Sequence, residues 1–305
     1  MKYILILILL ALLALIFIAW KAVSLICIPE KRSYEMMREQ EIEHGFGESI
    51  RRYENEWERR HFRLNIDGFT LRGEVIRNPS CTDNSKVAIV CHGHEVNRYC
   101  SIKYADMFYR AGYHVLIYDE RYFGKSGGAY STLGQNEAKD LAEVIAYSRT
   151  VFPEQKILVL HGESMGAATA LLCLQYEKPT LVIADCPFCE STRLFDEWTR
   201  KNLHIPGFLV LPFMEIIAIL RYRYHIRKCS PLNAVKQSDV PICFMHGNAD
   251  GLIDHRHSEK LYSACRNRNS ELHLFEGADH ASSVVIDPEG YEKILLDFLR
   301  KNNAL

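Results

Sequence analysis

From residue 87 onward, short apolar runs alternate with longer segments of helical period. The strand-like runs are VAIVC (87–91), YHVLIYD (113–119), KILVLH (156–161), TLVIAD (180–185), ICFMHG (242–247) and ELHLFEG (271–277). Helical segments lie near 100–111, 136–151, 165–176, 256–267 and 288–301. Few architectures accept that rhythm. Short runs without polar alternation suit strands covered on both faces, and intervening helices return the chain so that successive strands pair in parallel. The expected class is therefore α/β: a mostly parallel sheet with helices on both faces. One earlier stretch differs. HFRLNIDGFTLRGEVI (61–76) alternates apolar and polar residues around Asp67-Gly68, which reads as an antiparallel hairpin ahead of the parallel strands.

One interval breaks the rhythm. Residues 187–239 separate two strand runs by far more than one helix requires, and contain TRLFDEWTRKNL and GFLVLPFMEIIAILRYRYHIRK. Two helices inserted over the sheet as a cap account for them. The second is very apolar but too short to assign as a membrane span.

The N-terminal residues form a separate element. Tyr3 to Trp20 carries no charge, and Lys2 and Lys21 flank it. At about 1.5 Å per helical residue this run comes close to crossing a hydrocarbon core of about 30 Å. Its terminal Tyr3 and Trp20 suit a membrane interface. A cleaved signal peptide would have a shorter apolar core, about 7–15 residues, and a small-x-small site. Ile26, before Cys27, is too bulky for lipoprotein-type processing. Residues 3–28 are therefore read as a retained single-span anchor, with the bilayer as a partner. Lys21, Lys31, Arg32 and Arg38 after it, against Lys2 and the α-amine before it, lean towards a cytoplasmic C-terminal part, with the side left open. Nine of the ten cysteines follow the anchor, several inside apolar runs, which fits a reducing compartment. Residues 29–60 are densely charged and read as a juxtamembrane connector, partly helical with solvated faces. Lys plus Arg is 37 against 38 for Asp plus Glu, so the basic excess expected of a nucleic-acid binder is missing.

The chemistry concentrates in LHGESMGAATA (160–170). Ser164 stands between Gly162 and Gly166, just after a strand run and just before a helix. A sharp turn there forces the serine into a strained conformation, so its neighbours must be small. The same turn sets the Met165 N–H at a helix N-terminus, where negative charge is stabilised. A serine nucleophile needs a base, and the base an orienting carboxylate. After ICFMHG the chain offers Asp250, and after ELHLFEG it offers His280. Both follow strand ends on the edge that carries Ser164, where ligands bind in such sheets. Asp185 also ends a strand and stands as the rival acid. Asp254 reads as a helix cap, Asp279 as turned away, and His255, His257 and His273 as surface or structural residues. The second oxyanion donor is expected from HGHE: Gly93 permits close approach, and the His94 N–H would donate beside that of Met165. A zinc pair at His92 and His94 lacks a third ligand cluster, and Cys186-Pro-Phe-Cys189 lacks a second pair or a thioredoxin-like setting. The expectation from these residues is no metal.

Taken together, these residues resemble the α/β-hydrolase superfamily. DERYFGKSGG (119–128) carries D-x-R-x-x-G-x-S at Asp119, Arg121, Gly124 and Ser126, which looks like the serine aminopeptidase/monoacylglycerol-lipase-like branch. The resemblance spans about residues 61–301, which sets the hydrolase domain at 61–305 with the cap at 187–239. It implies a sheet of about eight strands and catalysis by Ser164, Asp250 and His280 without a cofactor. HGHE departs from the glycine-rich oxyanion motif of hormone-sensitive-lipase-type esterases. The implied activity is cleavage of a small-molecule acyl substrate at an ester, thioester or lipid acyl bond. A peptidase or amidase of the same fold, and a non-catalytic membrane-tethered binding protein, are the alternatives.

Overall fold

In the computed structural model, which describes residues 1–82 and 84–305, eight strands form one sheet. They are β1 (Glu58–Ile66), β2 (Phe69–Arg77), β3 (Lys86–Cys91), β4 (His114–Asp119), β5 (Ile157–Glu163), β6 (Leu181–Asp185), β7 (Ile242–Gly247) and β8 (Glu271–Phe275), in the spatial order β1-β2-β4-β3-β5-β6-β7-β8. Strand β2 runs antiparallel to both neighbours, and all pairings from β4 to β8 are parallel. The hairpin turns at Asp67-Gly68, both with positive φ, and pairs Ile66 with Phe69 and Glu58 with Arg77. Its first strand thus begins at Glu58, slightly before the expected His61.

Successive residues of the central strands feed opposite cores. On one face Val87, Ile89, Leu116, Leu160 and Val182 pack with the helices α5 (Glu137–Val151) and α6 (Met165–Cys173). On the other, Ala88, Val90, Ile117, Val159 and Ile183 pack with α4 (Ile102–Arg110) and α12 (Pro288–Lys301). That two-sided burial is why these strands carry no polar alternation.

The connector is partly helical with solvated faces, as expected, but it also buries one face against the domain. Its helices, α2 (Tyr34–Glu41) and α3 (Gly47–Asn55), lie against the turn Arg98–Ser101 and against α4 respectively, and bury Met37, Ile50 and Tyr53. Most of its charges stay exposed, but a few polar side chains are partnered inwards. Glu41 meets Lys103 at 3.0 Å, Arg52 meets Asp106 at 2.6 Å, and the Tyr53 hydroxyl donates to Glu74 at 2.9 Å. Charge density alone does not distinguish such a latch from a solvated face.

The interval 187–239 holds α7 (Ser191–Leu203), α8 (Gly207–Tyr222) and α9 (Pro231–Gln237). The first two are the expected cap helices. The third packs on α6 and on α10 (Arg256–Ser263), so it belongs to the layer beside the sheet rather than to the cap. Helix α1 (Lys2–Cys27), with a mean hydropathy of 3.1 over its most apolar window, is long and apolar enough to cross a membrane. Its C-terminal half packs on α8, burying Ala19, Ala22 and Val23, while most residues up to Phe17 stay exposed.

Candidate active site

Strand β5 and helix α6 are joined at Ser164, whose backbone has φ 55° and ψ −113°. This left-handed conformation is strained for a residue with a side chain. The neighbours explain why it persists. A Cβ on Gly162 would overlap the Gly166 carbonyl, and a Cβ on Gly166 would overlap the Cys91 carbonyl at the end of β3. The Ser164 N–H is held by the Asp185 carbonyl at 2.8 Å. Tight packing against two strands therefore overdetermines the turn.

The turn raises the Ser164 hydroxyl to His280: Oγ lies 2.8 Å from Nε2. On its other side, His280 Nδ1 lies 2.7 Å from Asp250 Oδ2. A carboxylate accepts, so Nδ1 carries the proton and Nε2 is free to accept from the serine. Asp250 Oδ1 accepts from the Leu252 and Ile253 N–H groups, each at 2.8 Å. Burial alone would raise the Asp250 carboxyl, but hydrogen bonds from His246, His280 and the Ile253 N–H hold it well below the ordinary carboxylate range. For His280, burial disfavours the charged ring, and the Asp250 carboxylate more than offsets it, so the pKa is raised from 6.5. The serine has a base only when His280 is neutral. Activity should therefore fall as pH drops, with the acid limb of kcat/KM centred above 6.5 and no Asp250 limb at neutral pH. A pH–rate profile with its midpoint at or below 6 contradicts this charge arrangement.

His246, for which the sequence gives only a weak signal, completes the acid's surroundings. Its Nε2 contacts Asp250 Oδ2 at 3.1 Å and the Ile253 carbonyl at 2.8 Å, both acceptors, so Nε2 bears the proton. Its Nδ1 then accepts from the Ser258 hydroxyl at 2.7 Å. A histidine closing a strand run four residues before a candidate acid was the available signal. Asp279 ties the two loops together, accepting from the Gly251 N–H at 2.8 Å and the His280 N–H at 2.7 Å.

The rival acid stands elsewhere. Asp185 pairs across the sheet with Glu163, and both accept from the Tyr104 hydroxyl, at 3.3 and 2.6 Å. Burial, then the nearby Glu163 charge, pushes its carboxyl up to about 7. Its role is beneath the serine, not beside the histidine. Asp254 accepts from the Arg256 N–H at 2.9 Å, as a cap would. Buried His257 bonds Glu197 and the Cys189 N–H, and His273 bonds Glu271.

Gly93 runs beside the serine, its Cβ position 3.7 Å from that of Ser164. The next residue, His94, makes no backbone hydrogen bond through its N–H among the described residues. The Met165 N–H opens α6 and has no intrahelical acceptor. His94 and Met165 thus each carry an N–H without a hydrogen-bond acceptor among the described residues, one directly after Gly93 and one directly after Ser164, a disposition that suits a developing oxyanion. The rings of His92 and His94 diverge: His92 accepts from the Glu120 N–H at 2.9 Å, and His94 Nε2 lies 2.8 Å from the Ile26 carbonyl. Cys186 and Cys189 are both free thiols. The Asp119 segment is structural. Asp119 accepts from the Arg98 side chain at 2.6 Å and the Lys125 N–H at 3.0 Å, and Arg121 pairs with Asp140 at 2.5 Å.

Known proteins share this arrangement of chain. Residues 82–228 match the family described as serine aminopeptidase, S33, and residues 221–294 match the dienelactone hydrolase family. An uncharacterized Bacillus subtilis protein, YqkD, is 32% identical over 239 residues, covering 77% of each chain. A Saccharomyces cerevisiae protein described as an uncharacterized membrane protein is 28% identical, covering 76% of each chain. Among solved structures, a Pyrococcus furiosus esterase superposes with a TM-score of 0.68 at 24% identity, over 82% of this chain and 93% of its own.

Proposed function

Given that this chain belongs to the α/β-hydrolase superfamily, in its serine aminopeptidase S33 branch, we propose that it is a membrane-anchored serine hydrolase cleaving carboxylic ester bonds of apolar acyl substrates. The observation that carries this reading is the relay from Ser164 through His280 to Asp250, with contacts of 2.8 and 2.7 Å. Ser164 Oγ attacks the acyl carbonyl while His280 Nε2 takes its proton. The Met165 and His94 N–H groups hold the oxyanion. His280 then protonates the departing alcohol or thiol, leaving Ser164 acylated. Water attacks the acyl-enzyme, again losing a proton to His280, and the carboxylic acid departs as Ser164 regains its hydrogen. Asp250 keeps the imidazole in the required tautomer and stabilises its charged form.

The membrane part of the reading rests on α1 and on the outer face of α8. Phe208, Leu209, Ile216 and Leu220 are exposed on that face. A groove of about 440 Å³ between α1 and α8 is lined by Leu13, Ile16, Phe17, Trp20, Ile217 and Leu220 and ends at Arg221. An exposed apolar face beside a span-length helix is suited to lipid rather than water. The yeast relative's description as a membrane protein agrees with this.

The test is a panel of esters, thioesters and amides of increasing acyl length, given to the full chain in vesicles. Esters or thioesters longer than about C4 should react faster than short ones, and amides slowest. A flat length profile counts against lipid substrates, and a preference for amides turns the reading to peptidase chemistry. Replacing both Phe208 and Leu220 by Glu should lower turnover of a long-chain ester in vesicles about tenfold and leave a short soluble ester unaffected.

A further inference from the structure

Helix α1 ends beside the loops that flank Ser164. A helix leaves its last four carbonyls without intrahelical donors. Three of those in α1 are satisfied here. The Ser24 carbonyl accepts from the Ile28 N–H at 2.8 Å, Ile26 from His94 Nε2 at 2.8 Å, and Cys27 from the Ser131 N–H at 2.9 Å. Just beyond the helix, the Tyr122 hydroxyl donates to the Pro29 carbonyl at 3.0 Å, and the Arg32 N–H donates to the Glu95 carbonyl at 3.0 Å. His94, Glu95, Tyr122 and Ser131 all lie on the loops after β3 and β4, at the sheet edge that carries the serine.

Two of these links reach the residues that offer the free N–H groups. A carbonyl only accepts, so His94 carries its proton on Nε2. Burial lowers its pKa and keeps the ring neutral. The ring packs edge-on to Phe123 at 5.4 Å, and Ile26 is its one hydrogen-bond partner among the described residues. On the other side, Ser131 receives the Cys27 carbonyl on its N–H, and its Oγ touches Met165 Sδ at 3.4 Å while bonding Glu137 at 2.9 Å. The end of α1 therefore bears directly on the residue after Gly93 and, through Ser131, on the residue after Ser164.

We infer that the C-terminal end of the N-terminal helix is a positioning element of the acyl-transfer site, with His94 acting through its side chain as the positioning residue that the Ile26 carbonyl holds. The anchor is then part of the reacting site's frame, not only a tether. This inference rests on the acyl-transfer reading above. An oxyanion donor acts only if aimed at where charge develops, and a displacement of about 1 Å costs on the order of 10²-fold in rate.

The test uses the full chain in lipid nanodiscs, with an ester and the matching thionoester, whose sulfur accepts hydrogen bonds poorly. His94→Phe keeps the ring over Phe123 and removes the Nε2–H. It should lower kcat about 10–100-fold with KM within about twofold. The ester-to-thionoester ratio of kcat should fall by a similar factor, and the melting temperature should hold. His94→Gln, whose amide nitrogen reaches the same carbonyl, should recover most of the rate. If His94→Phe loses its melting transition, His94→Asn, polar but too short to reach Ile26, replaces it with the same expected split. An unchanged kcat and ratio in His94→Phe overturns the inference, as does a loss confined to KM or one that His94→Gln does not recover. Ser164→Ala separates the two levels. If it stays active, the acyl-transfer reading fails; if it is dead while His94→Phe is fully active, only the positioning role fails.

Discussion

Ser164→Ala should lower kcat about 10⁶-fold and abolish labelling by a fluorophosphonate probe, with the fold retained. The expectation follows from the geometry. Oγ is the atom 2.8 Å from His280 Nε2, and among the described residues no other hydroxyl bonds that nitrogen. Alanine keeps the backbone and the Asp185 contact to the residue 164 N–H, so the helix start and the sheet edge should persist. Residual turnover would then come from the oxyanion donors and substrate binding alone. Labelling that survives in Ser164→Ala would show that the reactive hydroxyl lies elsewhere.

Asp250→Asn should cost about 10⁴-fold in kcat. Its carboxylate is surrounded by donors: two backbone N–H groups on Oδ1 and two imidazole N–H groups on Oδ2. An asparagine must point its NH₂ at one of these pairs. The least strained escape gives His280 the other tautomer, with the proton on Nε2 facing the serine, where it cannot act as a base. The buried mismatch should also destabilise the fold by about 1–3 kcal/mol, read as a lower melting temperature. Asp185→Asn, measured alongside, should keep most of the activity, because Asp185 meets Tyr104 rather than His280. If instead Asp250→Asn stays active and Asp185→Asn is dead, the acid has been misassigned.

Local signals carry the strands and the elbow. The run ICFMHG became β7 with the same bounds, because every residue in it, His246 included, is buried. Gly162, Ser164 and Gly166 were legible because steric overlap permits no side chain at either glycine. Asp250 and His280 were legible as positions after strand ends, where parallel pairing brings loops to one edge. His246 was not, because its value depends on the loop 247–253 curling back so that ring and carboxylate meet. The connector's helices and solvated faces were legible, but its docked face was not, for a related reason: Glu41 and Arg52 look solvated until α4 supplies Lys103 and Asp106.

The alternation of apolar runs and helices determined the α/β sheet, and the glycine-flanked serine marked the sheet edge that carries the candidate site. Both rest on constraints that act within a few residues: period, steric volume and backbone strain. Only the tertiary structure decided which acid faces His280, that the charged connector is latched to the domain, and that α1 ends against His94 and Ser131. Those outcomes depend on contacts between segments far apart in the chain, whose energies arise only when burial strips water from both partners at once.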